Sequence, residues 1–434
     1  MRLKPFLLFL ATGLWTYGAA VAASTNSVPS ANATNELTLA AFLNEVALAN
    51  LNYAAQRYNV PIAQAVRDAA KVFPNPVLNL GTGGDVTHHG SERLPSTLGG
   101  GVTQTFELGG KRKARIQVAD RNLRATAANL ESYLHNLRAD AAAAFVDAIA
   151  TRQALEQKRR SASALQELVA ANEQRLRVGD VGEVDVTQSR VELLQVRSEL
   201  LASESDAQAA QIALAGFLGP TRTQSTLVPL GKLEATPRHF DQAQLWAAAR
   251  TNRADLAALR HTRDGAQASL KLTRAGRVPD VDVGVGVIHS TSSENSIAPA
   301  PTFDSLGMTF SLPLPLFNRR TAEIRAAQLT FEQSEAILRA AEQKAEIDLR
   351  QALARYQLAV ERVARFQSAT LADAQKVLEA KRFSYQRGQT TLLDLLAAQR
   401  SANEVSLSYY DALGDAAKAL IELERAAQVW DVDF

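Results

Sequence analysis

The sequence predicts a mainly α-helical protein with a smaller membrane β part, built from two halves that share one order of elements: helix, strand, strand, long helix, return helix. Three observations lead there. A glycine-centred segment occurs twice, as Arg177-Val178-Gly179-Asp180-Val181-Gly182-Glu183-Val184-Asp185 and as Gln386-Arg387-Gly388-Gln389-Thr390-Thr391-Leu392-Leu393-Asp394. Superimposing Gly179 on Gly388 places Asp185 on Asp394. Pro74-Asn75-Pro76 likewise recurs as Pro279-Asp280-Val281, and Phe106-Glu107-Leu108-Gly109-Gly110-Lys111-Arg112 as Leu314-Pro315-Leu316-Phe317-Asn318-Arg319-Arg320. The offsets by subtraction are 205 (Pro74 to Pro279), 208 (Phe106 to Leu314) and 209 (Gly179 to Gly388), so an internal repeat decides the fold class.

Taken in order, the chain opens on a secretory signal. Arg2 and Lys4 form its charged region, Pro5 to Leu14 its apolar region, and Ala20-Val21-Ala22 its cleavage site. The apolar run is too short to span a bilayer as a helix. A Ser-, Asn- and Thr-rich tail follows to Asn35. Glu36 to Val72 is expected to be helical, with a break near Asn59-Val60-Pro61, and Pro74 and Pro76 end it.

From Val77 to about Thr87, and from Thr97 to Leu108, glycines, threonines and alternating apolar residues replace the helical pattern. The second half repeats this more cleanly. Val281, Val283, Val285 and Val287 alternate with Asp282, Gly284 and Gly286, and Leu306, Met308, Phe310 and Leu312 alternate with Ser305, Gly307, Thr309 and Ser311. Period two with one wholly apolar face is a strand pattern, and about ten residues per strand fits a tilted membrane strand. The alternative is an ordinary soluble hairpin.

Gly110 to Val178 contains no proline. At about 1.5 Å per residue it is a rod of roughly 100 Å. Leu123, Leu130, Leu134, Leu137, Ala141, Ala144 and Ala148 form one heptad seam; Val118, Ala125, Ala128, Ser132, Ala139, Ala142, Val146 and Ile149 form a second on the other side. A coiled-coil dimer needs one seam, whereas two require neighbours on both flanks, as in a curved wall of helices. A glycine that ends such a helix in positive φ, followed by polar caps, makes each repeated segment a hairpin tip. Return helices run to about Leu218 and from Thr391 to Ala427, the second rod covers Arg319 to Arg387, and Phe240 to Arg274 is helical.

The division is therefore a signal peptide at 1–22, a flexible tail at 23–35, a first unit at 36–219 (strands about 77–87 and 97–108, tip about 177–185), an equatorial linker at 220–239, a second unit at 240–428 (strands about 280–289 and 303–313, tip about 386–394) and a tail at 429–434.

Composition narrows the function. The formal charge of +2 vanishes once Met1 to Ala22, with its two bases and no acid, is removed, which argues against a nucleic-acid surface. The 434 residues contain no cysteine, excluding disulfides, thiolate metal sites, thiol catalysis and a lipid anchor on cysteine. His88 and His89, with Glu92 nearby, lie in a polar loop without a placed third ligand; His135, His239, His261 and His289 are scattered. No metal, cofactor or catalytic residues are assigned. Four membrane strands cannot close a barrel, and an open edge is not tolerated in lipid, so the chain is expected to oligomerise. Two copies give eight strands and a filled interior; three give twelve and room for a wet lumen.

The ordered set of duplicated halves, the shared glycine-to-aspartate spacing at both tips, and the junctions Gln104-Thr105-Phe106-Glu107-Leu108-Gly109-Gly110-Lys111-Arg112 and Leu312-Pro313-Leu314-Pro315-Leu316-Phe317-Asn318-Arg319 resembles the TolC-type outer-membrane efflux family across essentially the whole mature chain. The Glu-Leu-Gly-Gly-Lys-Arg junction is most similar to the cobalt–zinc–cadmium, heavy-metal branch. The resemblance implies a homotrimer with a twelve-stranded β-barrel continued by a twelve-helix α-barrel. It also implies a passive exit duct in the bacterial outer membrane, working with a periplasmic adaptor and an inner-membrane pump, of RND type in that branch. The same duct could serve drugs or type I secretion. The rival of another class is a soluble periplasmic coiled-coil adaptor, which carries one hairpin rather than two.

Residue by residue, the resemblance implies a channel gate. Asp185 and Tyr385 match a locking hydrogen bond, and Asp394 matches a constriction carboxylate that forms a threefold ring. The second constriction acid is replaced by Ala397, and the locking arginine by Thr390, with Arg387 beside it as a substitute. A ring of like carboxylates attracts cations and repels anions; the plain alternative for both aspartates is helix N-terminal acids favoured by the dipole. Arg177, Gly179, Asp180, Glu183, Arg387, Gly388 and Gln389 form the exposed ends expected to meet the adaptor.

Overall fold

A computed structural model describes residues 36–84, 96–219, 227–234, 237–294 and 299–430. The signal peptide, the tail at 23–35, His88, His89, Glu92 and residues 431–434 lie outside the described residues. The elements are β1 (Glu36–Leu37), α1 (Leu39–Ala49), α2 (Leu51–Arg57), α3 (Asn59–Ala69), β2 (Val77–Gly83), β3 (Thr97–Phe106), α4 (Lys111–Arg177), α5 (Glu183–Gly216), β4 (Val228–Pro229), α6 (Gln242–Asn252), α7 (Ala254–Ala275), β5 (Val281–Ser290), β6 (Phe303–Ser311), α8 (Thr321–Arg365), a π-turn (Phe366–Thr370), α9 (Leu371–Gln386) and α10 (Leu392–Ala427).

The 67-residue α4 is the uninterrupted rod that its lack of proline predicts. Its start is fixed from outside the helix. Glu107 accepts from Arg115 at 2.5 and 3.0 Å, Lys111 pairs with Asp280 at 2.7 Å, and the Arg112 guanidinium lies 4.2 Å from the Phe73 ring centre. The Glu-Leu-Gly-Gly-Lys-Arg junction thus ties strand, rod and the end of the first helical segment together. Gly109 has φ +70°, and a Cβ there would meet Val278 at 2.8 Å, so only glycine fits.

Several expectations are corrected. Glu36–Leu37 is not helical but pairs in parallel with Val228–Pro229 of the linker. The first helical stretch breaks at Tyr58, beside the expected Asn59-Val60-Pro61, and a second time at Asn50; Pro61 sits in the first turn of α3, where its missing N–H costs nothing. Asn50 causes the break at its own position: its Oδ1 accepts from Tyr53 N while its Nδ2 donates to Phe217 O. The stretch from Phe240 to Arg274 is likewise two helices, bent at Arg253. Arg319 and Arg320 precede the second rod instead of opening it, and that rod is interrupted by the π-turn.

The four longer strands form one antiparallel sheet in the order β2-β3-β5-β6, which leaves β2 and β6 as its edges among the described residues. Directly paired residues share a face. Leu78 opposite Val102, Val102 opposite Val285 and Val285 opposite Met308 define one face; Val287 with Leu306 and Val283 with Phe310 extend it. Leu78, Leu80, Leu306, Met308 and Phe310 on it are exposed. The other face carries Asn79, Thr103, Thr105, Asp282, Thr309 and Ser311 interleaved with glycines at 81, 99, 101, 284, 286 and 307.

The buried core lies in the helical part. Where α1, α4 and α5 meet, Phe42 stacks on Phe145 with ring centres 5.6 Å apart and meets Phe217 edge-on at 6.5 Å. A second cluster joins α6, α8 and α10 around Leu349, Tyr356 and Leu423. A third ties α4, α5, α9 and α10 together near the tips, through Leu165, Val169, Leu193, Tyr385, Leu392, Leu395 and Leu396.

Candidate functional site

Both tips end their rods in the same way. Gly179 (φ +80°) and Gly388 (φ +70°) are left-handed. Gly179 N donates to Leu176 O and Asp180 N to Arg175 O; Gly388 N donates to Tyr385 O and Gln389 N to Ser384 O. These paired 5→2 and 6→1 bonds are the Schellman closure, which satisfies the last carbonyls of each rod. Nothing lies within 4 Å of a Cβ built on either glycine, so backbone conformation alone selects the residue. Arg177, Asp180, Glu183, Arg387 and Gln389 are exposed. Asp180 lies 3.6 Å from Arg175 of its own chain.

The return helices then begin differently. Gly182 caps α5 without a side-chain bond, whereas Thr391 caps α10 in a full capping box with Asp394. Asp394 Oδ2 accepts from the hydroxyls of Thr390 and Thr391, both at 2.9 Å. The Thr390 hydroxyl, then Thr391, hold its carboxyl below the ordinary value of 3.8. Asp394 is thus an exposed carboxylate, charged at neutral pH and fixed by its own cap. Asp185 occupies the equivalent position but accepts no side-chain hydrogen bond among the described residues; only its backbone N–H bonds Gly182 O, at 3.1 Å.

Tyr385 sits on the last turns of α9, 7% exposed. Its hydroxyl donates to Asn172 Oδ1 of α4 at 2.8 Å, not to Asp185. Burial is the main cause raising its phenol pKa, opposed by Arg175, whose guanidinium lies 5.2 Å from the ring centre. Arg387 does not reach a gate carboxylate: its guanidinium stacks on Phe383 of its own helix at 3.9 Å. Ala397 is exposed.

Asn172 is the residue that sequence reasoning missed. It is fully buried, and it continues the buried row Ala162, Leu165 and Val169 at helical spacing. A polar residue on that apolar row was the available signal. Below it, Glu192 of α5 receives Nε of Arg400 of α10 at 2.7 Å in a two-point pair, and Asn403 donates to Ser161. Burying each leucine of the third cluster contributes about 2 kcal/mol, against about 1 kcal/mol net for a hydrogen bond. Leucines therefore supply the cohesion between the two hairpins, and the polar pairs set their register.

Among the described residues no group of three or more His, Asp or Glu side chains is placed to hold a metal, and no helix is long and apolar enough to cross a membrane.

Residues 42–220 and 245–427 match the sequence model of the family described as "Outer membrane efflux protein". The cobalt-zinc-cadmium resistance protein CzcC of Cupriavidus metallidurans is 26% identical over 397 residues, 91% of this chain and 90% of that one. The outer membrane efflux protein BepC of Brucella suis is 24% identical, over 77% and 72% of the two chains. The nickel-cobalt-cadmium resistance protein NccC of Alcaligenes xylosoxydans is 28% identical, over 63% and 59%. In fold, the chain is similar to the crystal structure of a membrane protein from Pseudomonas aeruginosa, with a TM-score of 0.73 at 19% identity, covering 90% and 92% of the two chains.

Proposed function

The chain belongs to the outer membrane efflux protein family, whose members are transport channels and not enzymes, and from that premise we propose that three copies form an exit duct through the outer membrane. The observation that carries this reading is the sheet β2-β3-β5-β6, with one exposed apolar face and two unpaired edges. Unpaired backbone groups are not tolerated in lipid. Joining β6 of one copy to β2 of the next removes both edges, and three copies give twelve strands with the glycine-, serine- and threonine-lined face around a wet lumen. The rods α4 and α8–α9, with the return helices α5 and α10, continue that lumen as an α-barrel roughly 100 Å into the periplasm. Residues 36–219 and 240–428 are two copies of one ancestral unit joined by the 220–239 linker.

The tips are the gate and the docking end. Asp394, three to the trimer, forms a charged ring that favours cations, and Tyr385, with Asp185 near it, belongs to the closed tips. Arg177, Asp180, Glu183, Arg387 and Gln389 meet a periplasmic adaptor, which joins the duct to an inner-membrane pump of the RND type. The cargo is heavy-metal cations, a reading supported by the names of CzcC and NccC. The second reading is the same duct passing drugs or secreted proteins; the likeness to BepC, whose name specifies no metal, is compatible with it. A soluble adaptor is disfavoured by two helical hairpins and an exposed apolar sheet.

Two measurements test this. The purified mature protein is expected to need detergent and to run as a trimer; a monomer that dissolves without detergent ends the account. A deletion strain is expected to become sensitive to divalent heavy metals; sensitivity to drugs alone moves the cargo to the second reading.

A further inference from the structure

We propose that Asn172, rather than Asp185, is the locking partner of Tyr385, and that the seam they close between α4 and the α9–α10 hairpin is what parts when a tip opens. This rests on the reading of the chain as a tip-gated duct. The bond joins residues 213 apart in sequence, and both ends are buried. It is therefore a contact between the two hairpins and not a local feature of either. Asp185 acts on Tyr385 only through space, by its charge.

The second observation is that Asn172 Nδ2 is buried with no hydrogen-bond partner among the described residues. Turning the amide over would exchange the unpaired atom without removing it. A buried amide hydrogen with no acceptor raises the free energy of the closed seam, because water would satisfy it once the seam parts. The Tyr385–Asn172 bond and the surrounding leucines hold the seam shut; the orphan N–H pushes it open. Opposed contributions of similar size make a two-state element rather than a rigid joint. The same cluster borders a cavity of about 340 Å³ lined by Leu168, Ala171, Arg175 and Gln399, so the side chains have room to move apart.

Mutual dependence gives the pair a signature. Tyr385→Phe leaves both polar atoms of Asn172 unpaired, and Asn172→Leu leaves the Tyr385 hydroxyl unpaired. Replacing both makes the seam apolar with nothing left unsatisfied, a change that is neutral or stabilising. In single-channel recordings of purified trimers in planar bilayers, each single variant is expected to raise the open-to-closed ratio about tenfold, as for one buried polar group left unpaired. The double variant is expected to return to the wild-type ratio or below it. Asn172→Ala replaces Asn172→Leu in the cycle if the leucine protein does not assemble, with the same sign expected. Singles at the wild-type ratio, or a double variant more open than either single, overturn the latch. So does Asp185→Ala raising the ratio about tenfold in the wild type while adding nothing in the Tyr385→Phe background, since Asp185 would then be the partner. A wild-type protein that conducts nothing overturns the duct reading itself. Conducting wild-type channels whose variants break the pattern overturn the latch alone.

Discussion

Asp185 and Asp394 stand at the same third position of the helices that leave the two tips, yet only Asp394 is held by its own cap. At the first tip the capping position is Gly182, which has no side chain to offer. One carboxylate is consequently fixed toward its own backbone, and the other is available to whatever approaches the tip.

Replacing Asp394 with Ala removes the capping box and, in the proposed trimer, the charged ring. A lower melting temperature is expected together with weaker cation selectivity, read as a reversal potential closer to zero under a salt gradient. An unaltered reversal potential would remove the ring from the account.

The pH dependence at Asp394 has a definite sign. Its pKa is depressed in the folded chain, so the cap contributes fully above the ordinary carboxylate value of 3.8 and is lost only as pH falls through the depressed folded value. The difference in melting temperature between wild type and Asp394→Ala should hold steady from neutral pH down to about 4 and shrink below it. A difference that disappears near neutrality would contradict the cap.

Asp185→Ala is expected to leave protomer stability within about 0.5 kcal/mol, since no side-chain bond is lost. Conductance should nonetheless rise if the carboxylate works between copies. Thermal unfolding and bilayer recordings on the same preparation separate the two effects.

Gly179→Ala and Gly388→Ala each force a left-handed residue to carry a Cβ. No steric neighbour is met, so the cost is conformational, about 1 kcal/mol each. The Schellman closure should survive with a small loss in melting temperature. A loss several times larger would point to a packing role that the geometry does not contain.

Glu192 is buried while its partner Arg400 is largely exposed. Arg400→Met leaves the carboxylate buried without its donors and is expected to cost about 2 kcal/mol. Pairing it with Glu192→Leu should restore much of that loss. Equal losses in both single variants with no recovery in the double would contradict the pairing.

The sequence by itself determined the long rods and return helices, the four longer strands, both tips and the sheet's two faces. Strand alternation, proline-free rods and left-handed glycines are local, and their periods are written along the chain. It also placed Asp185 and Asp394 on matching positions, because equal spacing from a turn glycine gives equal places in the next helix. Breaks set by long-range partners were not legible. Asn50 ends α1 partly by reaching Phe217, and β1 exists only because the linker brings Val228 beside Glu36. The choice of partner for Tyr385 was decided by the tertiary structure alone. Asn172 lies 213 residues away, and nothing local couples the two; they meet because leucines on four helices bury one seam, and a buried hydroxyl takes the acceptor that the seam encloses with it.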